Sequence, residues 1–353
     1  MDRREFLKST GAVAVTSAVG TAVTAAESAP SAPAISKRLT ELRLALPWAE
    51  SPAGPADWAR RLSQHVASLS DGRLRLALVF DVAGGLTAVR AGNADLYFGD
   101  VTDDTDAHRA FAYFSALPGE HGMAPQHLQA WLNVGGGQEL WDDLAADLGI
   151  KPLLAAHTGT RSFFLAAERV ETMGALAGRR VRAHGLARDV ARGLGLEPVE
   201  LPPGQVAASM RSGDVLAAEC GGAIVSYACG LPAAAPYAAG ASIDGNGRAL
   251  ALCVRRNLWD TMSASQQAIL SAAAAMEFHT SLTEEEAHRP FLYPSAPQDR
   301  IWPIAAELAH AIQRVADAVV AHTAGYDAAA TRIAASYAAF RRAAAYGNQN
   351  AIS

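Results

Sequence analysis

From Leu42 onward, short apolar runs with strand character alternate with stretches of helical periodicity, and this alternation confines the chain to α/β architectures. Leu42–Leu46 alternates and stops at Pro47, so it reads as a strand. Trp58, Leu62, Val66 and Leu69 follow at helical spacing, and Asp71-Gly72 makes a turn. Leu74 to Phe80 alternates as a second strand, a helix follows around Ala88, and Ala94–Gly99 reads as a buried third strand. The same grammar continues: a helix over Gln126–Asp147, then strands at Pro152–Ala156 and Ser162–Ala166. A short strand at Val181–Ala183 precedes a helix carrying Leu186, Val190 and Leu194. Glu197–Leu201 is a strand, a helix runs to Arg211, Asp214–Glu219 is a strand, and Gly221-Gly222 opens another helix. Leu250–Val254 is apolar again. Ser263 with Gln266 three residues on forms a capping box for a long helix from Ala264 into Glu286. Trp302 to Ala345 is almost entirely helical in pattern.

With 353 residues, half of them hydrophobic, the chain can bury two domains of ordinary size. A net charge of -5, with no Lys/Arg-rich run, argues against a nucleic-acid partner. The first residues carry Arg3-Arg4 followed by Phe6-Leu7-Lys8 and a soft apolar run to about Ala26. That pattern predicts a twin-arginine export signal, with Asp2 where Ser or Thr is usual, and a Ser/Ala/Pro-rich tether to residue 37. The three cysteines, Cys220, Cys229 and Cys253, show no metal spacing and read as small buried hydrophobes. The sequence leaves a Cys220–Cys229 bridge open.

Catalytic signatures such as HExxH, GxSxG and a Walker loop are missing, so no catalytic residue is assigned. Gly135-Gly136-Gly137 lies inside a helical pattern rather than after a strand, which predicts a bend or a close helix contact. Among ten histidines, only His157 and His184 are placed near a site, and neither has ligand spacing. Arg182 ends a short strand just before a helix, the edge where open α/β sheets bind ligands, and a guanidinium suits a carboxylate. With Arg179 and Arg180 beside it, a plain surface arginine is the competing reading.

Several stretches resemble those of one family. They are Phe114–Pro118, Trp131 through Gly135-Gly136-Gly137 to Trp141, Thr158-Gly159 and Leu176–Arg182. Ser212-Gly213 with Ala217–Glu219, and Ser336–Arg341, complete the set. In order and spacing they resemble the solute-binding subunits of TRAP transporters, the DctP-like family, and most closely its 2-oxo and 2-hydroxy monocarboxylate branch. The resemblance implies a two-lobed periplasmic-binding-protein-like α/β fold with long helices in the C-terminal part. It also implies capture of a small organic carboxylate in the periplasm for TRAP membrane subunits, and no enzymatic step.

The resemblance places the family's carboxylate-clamping arginine at Arg182. Glu219 matches the Glu of a Glu-Trp pair that helps hold a metal ion in this branch, but Cys220 replaces the aromatic. Arg161 stands where the branch has a metal-binding Gln. A fixed cation there repels a metal ion, so no metal or cofactor is expected and Arg161 is assigned the second anchor. Asp100, with Asp103, Asp104 and Asp106 after it, replaces the usual aromatics, and an acid aimed into the cleft would suit an amino or hydroxyl group. The candidate ligand-binding set is Arg182, Arg161, Glu219, Cys220, Asp100, His184 and Trp48. Residues 38–157 with 247–275 are expected to form one lobe. Residues 158–246 with 276–345 form the other, and the C-terminal helices are the surface for a homodimer. A ligand sensor uncoupled from transport is the alternative. A secreted enzyme using Cys220 beside Glu219 ranks below it.

Overall fold

The computed structural model describes residues 39–51, 53–102, 108–159, 164–170, 172–239, 243, 246–292, 301–302 and 306–350. The export-signal region and Arg161, Asp103, Asp104 and Asp106 lie outside them. Strand β1 (Thr40–Ala45), helix α1 (Pro55–Leu69), strand β2 (Leu74–Val79), helix α2 (Gly85–Arg90) and strand β3 (Leu96–Gly99) open the fold. Both connections are right for parallel pairing, and β1 lies between β2 and β3, parallel to each. Helix α1 buries Trp58, Leu62 and Val66 completely, the residues its 3.6-residue period puts on one face.

The single helix expected over 126–147 is two helices, α3 (Pro125–Asn133) and α4 (Gly137–Ala146). Gly136 breaks them with a φ of 82°, a left-handed conformation that glycine adopts without strain. A side chain at Gly135 would collide with Phe340, and one at Gly137 with Trp131. The glycine run is therefore a bend and a close contact, as its helical setting suggested. Around it Phe114 stacks on Trp131 and Trp141, with ring centroids 5.3 and 5.1 Å apart. Tyr337 meets Trp131 edge-on, and Trp131 Nε1 donates to Ser336 Oγ at 3.1 Å. Three separated sequence motifs thus form one core.

Strand β4 (Ile150–His157) completes the first sheet, and β5 (Phe164–Ala166) begins the second. Then come β6 (Arg180–Arg182), α5 (Leu186–Gly193), β7 (Glu197–Val199), α6 (Pro203–Arg211), β8 (Ala217–Glu219), α7 (Ala223–Ala228), α8 (Leu231–Ala234) and β9 (Tyr237–Ala239). Strands β7 and β8 are shorter than the apolar runs around them: Leu201 and Asp214–Leu216 are outside the ladder. The chain returns to the first sheet as β10 (Ala249–Arg255), then forms α9 (Arg256–Thr261), α10 (Ala264–Leu292), β11 (Ile301–Trp302), α11 (Ala306–Ala324) and α12 (Ala328–Asn350). The first sheet has the order β2-β1-β3-β10-β4 and the second β11-β9-β5-β8-β6-β7. Strand β10 runs antiparallel to β3 and β4.

Helix α10 begins at the expected capping box: Gln266 N–H donates to Ser263 Oγ at 3.3 Å, and Ser263 N–H to Gln266 Oε1 at 3.0 Å. Its residues 277, 281 and 285 share one face and are buried polar groups. Glu277 takes Arg61 of α1 in a two-pronged ion pair at 2.8 and 3.2 Å. Ser281 Oγ accepts His157 N–H of β4 at 3.2 Å. Glu285 accepts the N–H groups of Ala223 and of Ile224 (2.9 Å), the first residues of α7. Each of the three groups ties α10 to a different element.

Candidate functional site

In parallel strands the side chains at the carboxyl ends project toward a common edge, and in this chain those ends come from both sheets. Trp48 follows β1, Asp100 follows β3, Arg182 ends β6, and Glu219 and Cys220 end β8. Because β10 is antiparallel, its amino-terminal end reaches the same edge, and Arg248 stands just before it. These residues, with His184, Thr158, Pro55, Val225 and Leu250, enclose a recess of about 40 Å³. Trp48, Arg182 and His184 also line a wider cleft of about 480 Å³, whose other walls include Tyr97, Glu200 and Pro202.

Arg182 is only 7 % exposed. Its Nε donates to Leu201 O at 3.2 Å, and its Nη1 to Glu219 O at 2.9 Å and to Cys220 Sγ at 3.2 Å. Among the described residues no carboxylate lies in salt-bridge range of this guanidinium. Among the described residues this buried cation is held by two carbonyls and a thiol, without the counter-ion that burial normally demands. Its position makes it more than a surface arginine flanking Arg179 and Arg180.

Arg248 is buried in a different way. Its Nη1 pairs with Asp100 Oδ2 at 2.8 Å, and its Nη2 donates to His184 O at 3.3 Å. Its backbone locks to Thr158 in both directions: Arg248 N–H donates to Thr158 Oγ1 and Thr158 N–H to Arg248 O, each at 2.9 Å. The other Asp100 oxygen, Oδ1, accepts the N–H and the hydroxyl of Thr102, each at 2.8 Å. Asp100 therefore does not offer a carboxylate to an amino or hydroxyl group of a ligand. It holds Arg248 instead.

Glu219 is 4 % exposed, and its Oε2 accepts Ile243 N–H at 3.2 Å. Its contact with Arg182 runs through the backbone carbonyl. His184 is kept neutral, with its pKa far below the ordinary histidine value, by burial and by Arg182, Arg248 and Arg188. His157, the other histidine placed near a site, instead turns toward Phe278 of α10, outside the recess, and burial lowers its pKa to about 4. Cys220 is not an inert filler. The hydrogen bond from Cys229 and the charges of Arg182 and Arg248 push its thiol pKa down against the effect of burial. Gly221 (φ 104°) and Gly222 let the chain pass close to Thr158 and Glu285, where any side chain would collide.

Six of the seven residues singled out in the sequence thus meet at one recess, and Arg161 is outside the described residues. Arg248 escaped notice. Its signal is a charged residue directly before the buried run Leu250–Val254, but only the antiparallel direction of β10 brings it to the ligand edge. Thr158 was quoted as a motif and turns out to fasten Arg248.

Residues 87–290, more than half of the chain, match the bacterial extracellular solute-binding protein family 7, DctP. A monocarboxylate 2-oxoacid-binding periplasmic protein of Nostoc sp. is 24 % identical over 97 % of this chain and 94 % of its own length. The fold matches a TRAP periplasmic solute-binding protein of Colwellia psychrerythraea with bound calcium and pyruvate (TM-score 0.80, 20 % identity, 88 % of this chain and 97 % of that one). It also matches one of Pseudoalteromonas atlantica with bound sodium and pyruvate (TM-score 0.77, 21 % identity, 89 % and 97 %).

Proposed function

The chain belongs to family 7 of the bacterial extracellular solute-binding proteins, and from that premise we propose that it captures a small 2-oxo or 2-hydroxy monocarboxylate for the membrane subunits of a TRAP-type transporter. One observation carries the reading: Arg182 is a buried guanidinium with no carboxylate partner among the described residues, and it faces a recess walled by both sheets. A ligand carboxylate supplies the missing counter-ion. Trp48 and Leu250 offer apolar surface to the rest of a short chain, and neutral His184 adds no competing charge. The Asp100 carboxylate is taken up by Arg248 and Thr102, and that of Glu219 accepts Ile243 N–H, which favours oxo and hydroxy acids over amino acids.

The recess holds only a few atoms at about 40 Å³, so an organic acid enters when the walls separate and is enclosed when they close. We assign the moving lobes to residues 38–157 with 247–275 and to residues 158–246 with the chain from 276, except that α12, whose Ser336 and Tyr337 pack in the core around Trp131, goes with the first lobe. The membership of strands in the two sheets supports that division. Pairing of two copies through α11 and α12 belongs to the same reading, and light scattering tests it. Export to the periplasm through Arg3-Arg4 is tested by the double variant Arg3→Lys with Arg4→Lys, which should leave precursor in the cytoplasm. No helix among the described residues is long and apolar enough to cross a membrane.

The two pyruvate-bound neighbours hold calcium or sodium, and such an ion needs several oxygen donors turned to one point. Among the described residues no three His, Cys, Asp or Glu side chains stand together as a cation site. Asp100 is already taken by Arg248 and Thr102, Glu219 accepts Ile243 N–H, and two guanidinium groups stand beside these acids in the recess. These donors do not fit a metal ion, and we propose metal-independent capture. Mass spectrometry of the protein purified under native conditions should show a bound small carboxylic acid, and calorimetry with pyruvate should show saturable binding. EDTA should leave that affinity unchanged. Loss of binding in EDTA with recovery in calcium or sodium overturns the metal-free reading.

A further inference from the structure

Arg109 and Asp189 pair at a place that lines neither the recess nor the wider cleft. Arg109 opens a 3₁₀ turn, Arg109–Phe114, whose Ala110, Phe111 and Phe114 are buried in the core of the first sheet with Trp131 and Trp141. Asp189 lies on α5, whose Ala187, Val190 and Ala191 are buried in the core of the second sheet with Leu308 and Ala311 of α11. Arg109 Nη2 donates to Asp189 Oδ2 at 2.6 Å, and both side chains are partly buried. The other carboxylate oxygen, Oδ1, accepts Arg192 Nη1 at 2.9 Å. The first bond crosses from one core to the other, and the second stays within α5.

The segment that carries Asp189 begins at the ligand anchor. From Arg182, at the end of β6, the chain runs through His184 and Gly185 into α5. His184 O accepts Arg248 Nη2 at 3.3 Å. Gly185 (φ 52°) comes so close to Thr102 that a Cβ would stand 3.0 Å from its Oγ1. Leu186 is buried among the residues of the first core. This stretch of the second sheet's chain therefore lies against the first at successive points, and the last of them is the Arg109–Asp189 ion pair.

We propose that Arg109 and Asp189 are a latch: the pair forms when the lobes close on a ligand, breaks when they open, and sets how long the ligand stays. The latch rests on the reading above that the lobes separate to admit a carboxylate. A ligand held by Arg182 draws the end of β6 and the start of α5 toward the first lobe, and that movement carries Asp189 to Arg109. In the open form both charges return to water. The pair then stabilises the closed form alone, and an interaction made in one of two forms shifts their equilibrium by its full worth. Because neither residue lines the site, the latch acts on release rather than on recognition. An ion pair as exposed as this one is worth about a fivefold change in that equilibrium. Arg192 supplies the control, since it grips the same carboxylate without leaving α5.

The test uses the full chain, with pyruvate as the probe and tryptophan fluorescence as the signal, since Trp48 lines the recess. In stopped-flow displacement, Arg109→Gln and Asp189→Asn should each speed pyruvate release about fivefold. The double variant should be no faster than either single one, because the two residues act as one pair. Arg192→Gln should release pyruvate at the rate of the unaltered protein. Without pyruvate, Arg109→Gln should melt at the temperature of the unaltered protein, and with saturating pyruvate below it. An equal loss in both conditions makes the pair a permanent part of the fold and overturns the latch. Release from both single variants at the unaltered rate overturns the latch and leaves the carboxylate reading standing, as does faster release from Arg192→Gln to the same extent. Pyruvate that does not bind the unaltered protein overturns the carboxylate reading, and the latch with it.

Discussion

Each sheet brings one arginine to the recess, and the two are answered differently. Arg248, on the first sheet, meets Asp100 at 2.8 Å and fastens its backbone to Thr158. Arg182, on the second, meets carbonyl groups and a sulfur. Both are buried, so both lose their hydration, and among the described residues only Arg248 meets a carboxylate in return. At an effective dielectric of about 20, a pair of unit charges 4 Å apart is worth about 4 kcal/mol. On one wall that attraction is spent within the fold. On the other, by the function proposed above, it is left for a ligand anion, which would make the first wall scaffold and the second wall receptor.

The sharpest way to break this contrast is to remove the carboxylate on the first wall. Asp100→Asn removes the carboxylate that meets buried Arg248 at 2.8 Å and should destabilise the protein by about 3–5 kcal/mol. Urea unfolding measures it. A loss below about 1 kcal/mol would mean that Arg248 finds another answer and that the two walls are alike.

On the second wall the expected loss is in affinity rather than stability. Arg182→Lys keeps one charge but gives up the fork and the bonds to Leu201 and Glu219. Binding of the carboxylate ligand should weaken by more than about tenfold, roughly 1.4 kcal/mol, with little change in melting temperature. Unchanged affinity by calorimetry would move the anchor elsewhere. A variant that loses stability like Asp100→Asn would make Arg182 scaffold as well.

The contrast shows where a sequence speaks plainly. Arg182 was half legible: it ends a strand before a helix, but only the family resemblance raised it above a plain surface arginine. Arg248 was not, because its end of β10 reaches the same edge only through antiparallel pairing with β3 and β4, a long-range choice that local pattern does not encode. Helix α10 was legible from its capping box, while the buried Glu277, Ser281 and Glu285 on it looked like any solvated face. The break at Gly136 was hidden in a run of good helix periodicity, although the glycines themselves pointed to a bend. Asp100 was read as a ligand acid because its arginine partner lies 148 positions away.

The same comparison extends one layer behind the walls, to two buried carboxylates. Asp100 is answered by a guanidinium, whereas Glu285 is answered by the backbone N–H groups that start α7. Burial pushes the Glu285 pKa up to about 7, with the two N–H bonds opposing the shift. A carboxyl group with a raised folded-state pKa binds its proton more tightly in the folded chain. Its contribution to stability is complete below the unfolded value near 4.5 and is lost as pH rises through about 7. Glu277 is raised to about 7 by burial and acts with the same sign. His65, His157 and His184 are lowered and act with the opposite sign, chiefly below pH 6.5 and only in part above it. Between pH 6.5 and 8 each glutamate should cost about 1 kcal/mol of stability, seen as a melting temperature that declines across that range. Glu285→Gln should remove roughly half of that decline, whatever it does to the melting temperature itself. An unaltered slope in Glu285→Gln would show that the N–H groups of α7 hold Glu285 ionised as securely as a guanidinium would, and would erase the difference between the two carboxylates.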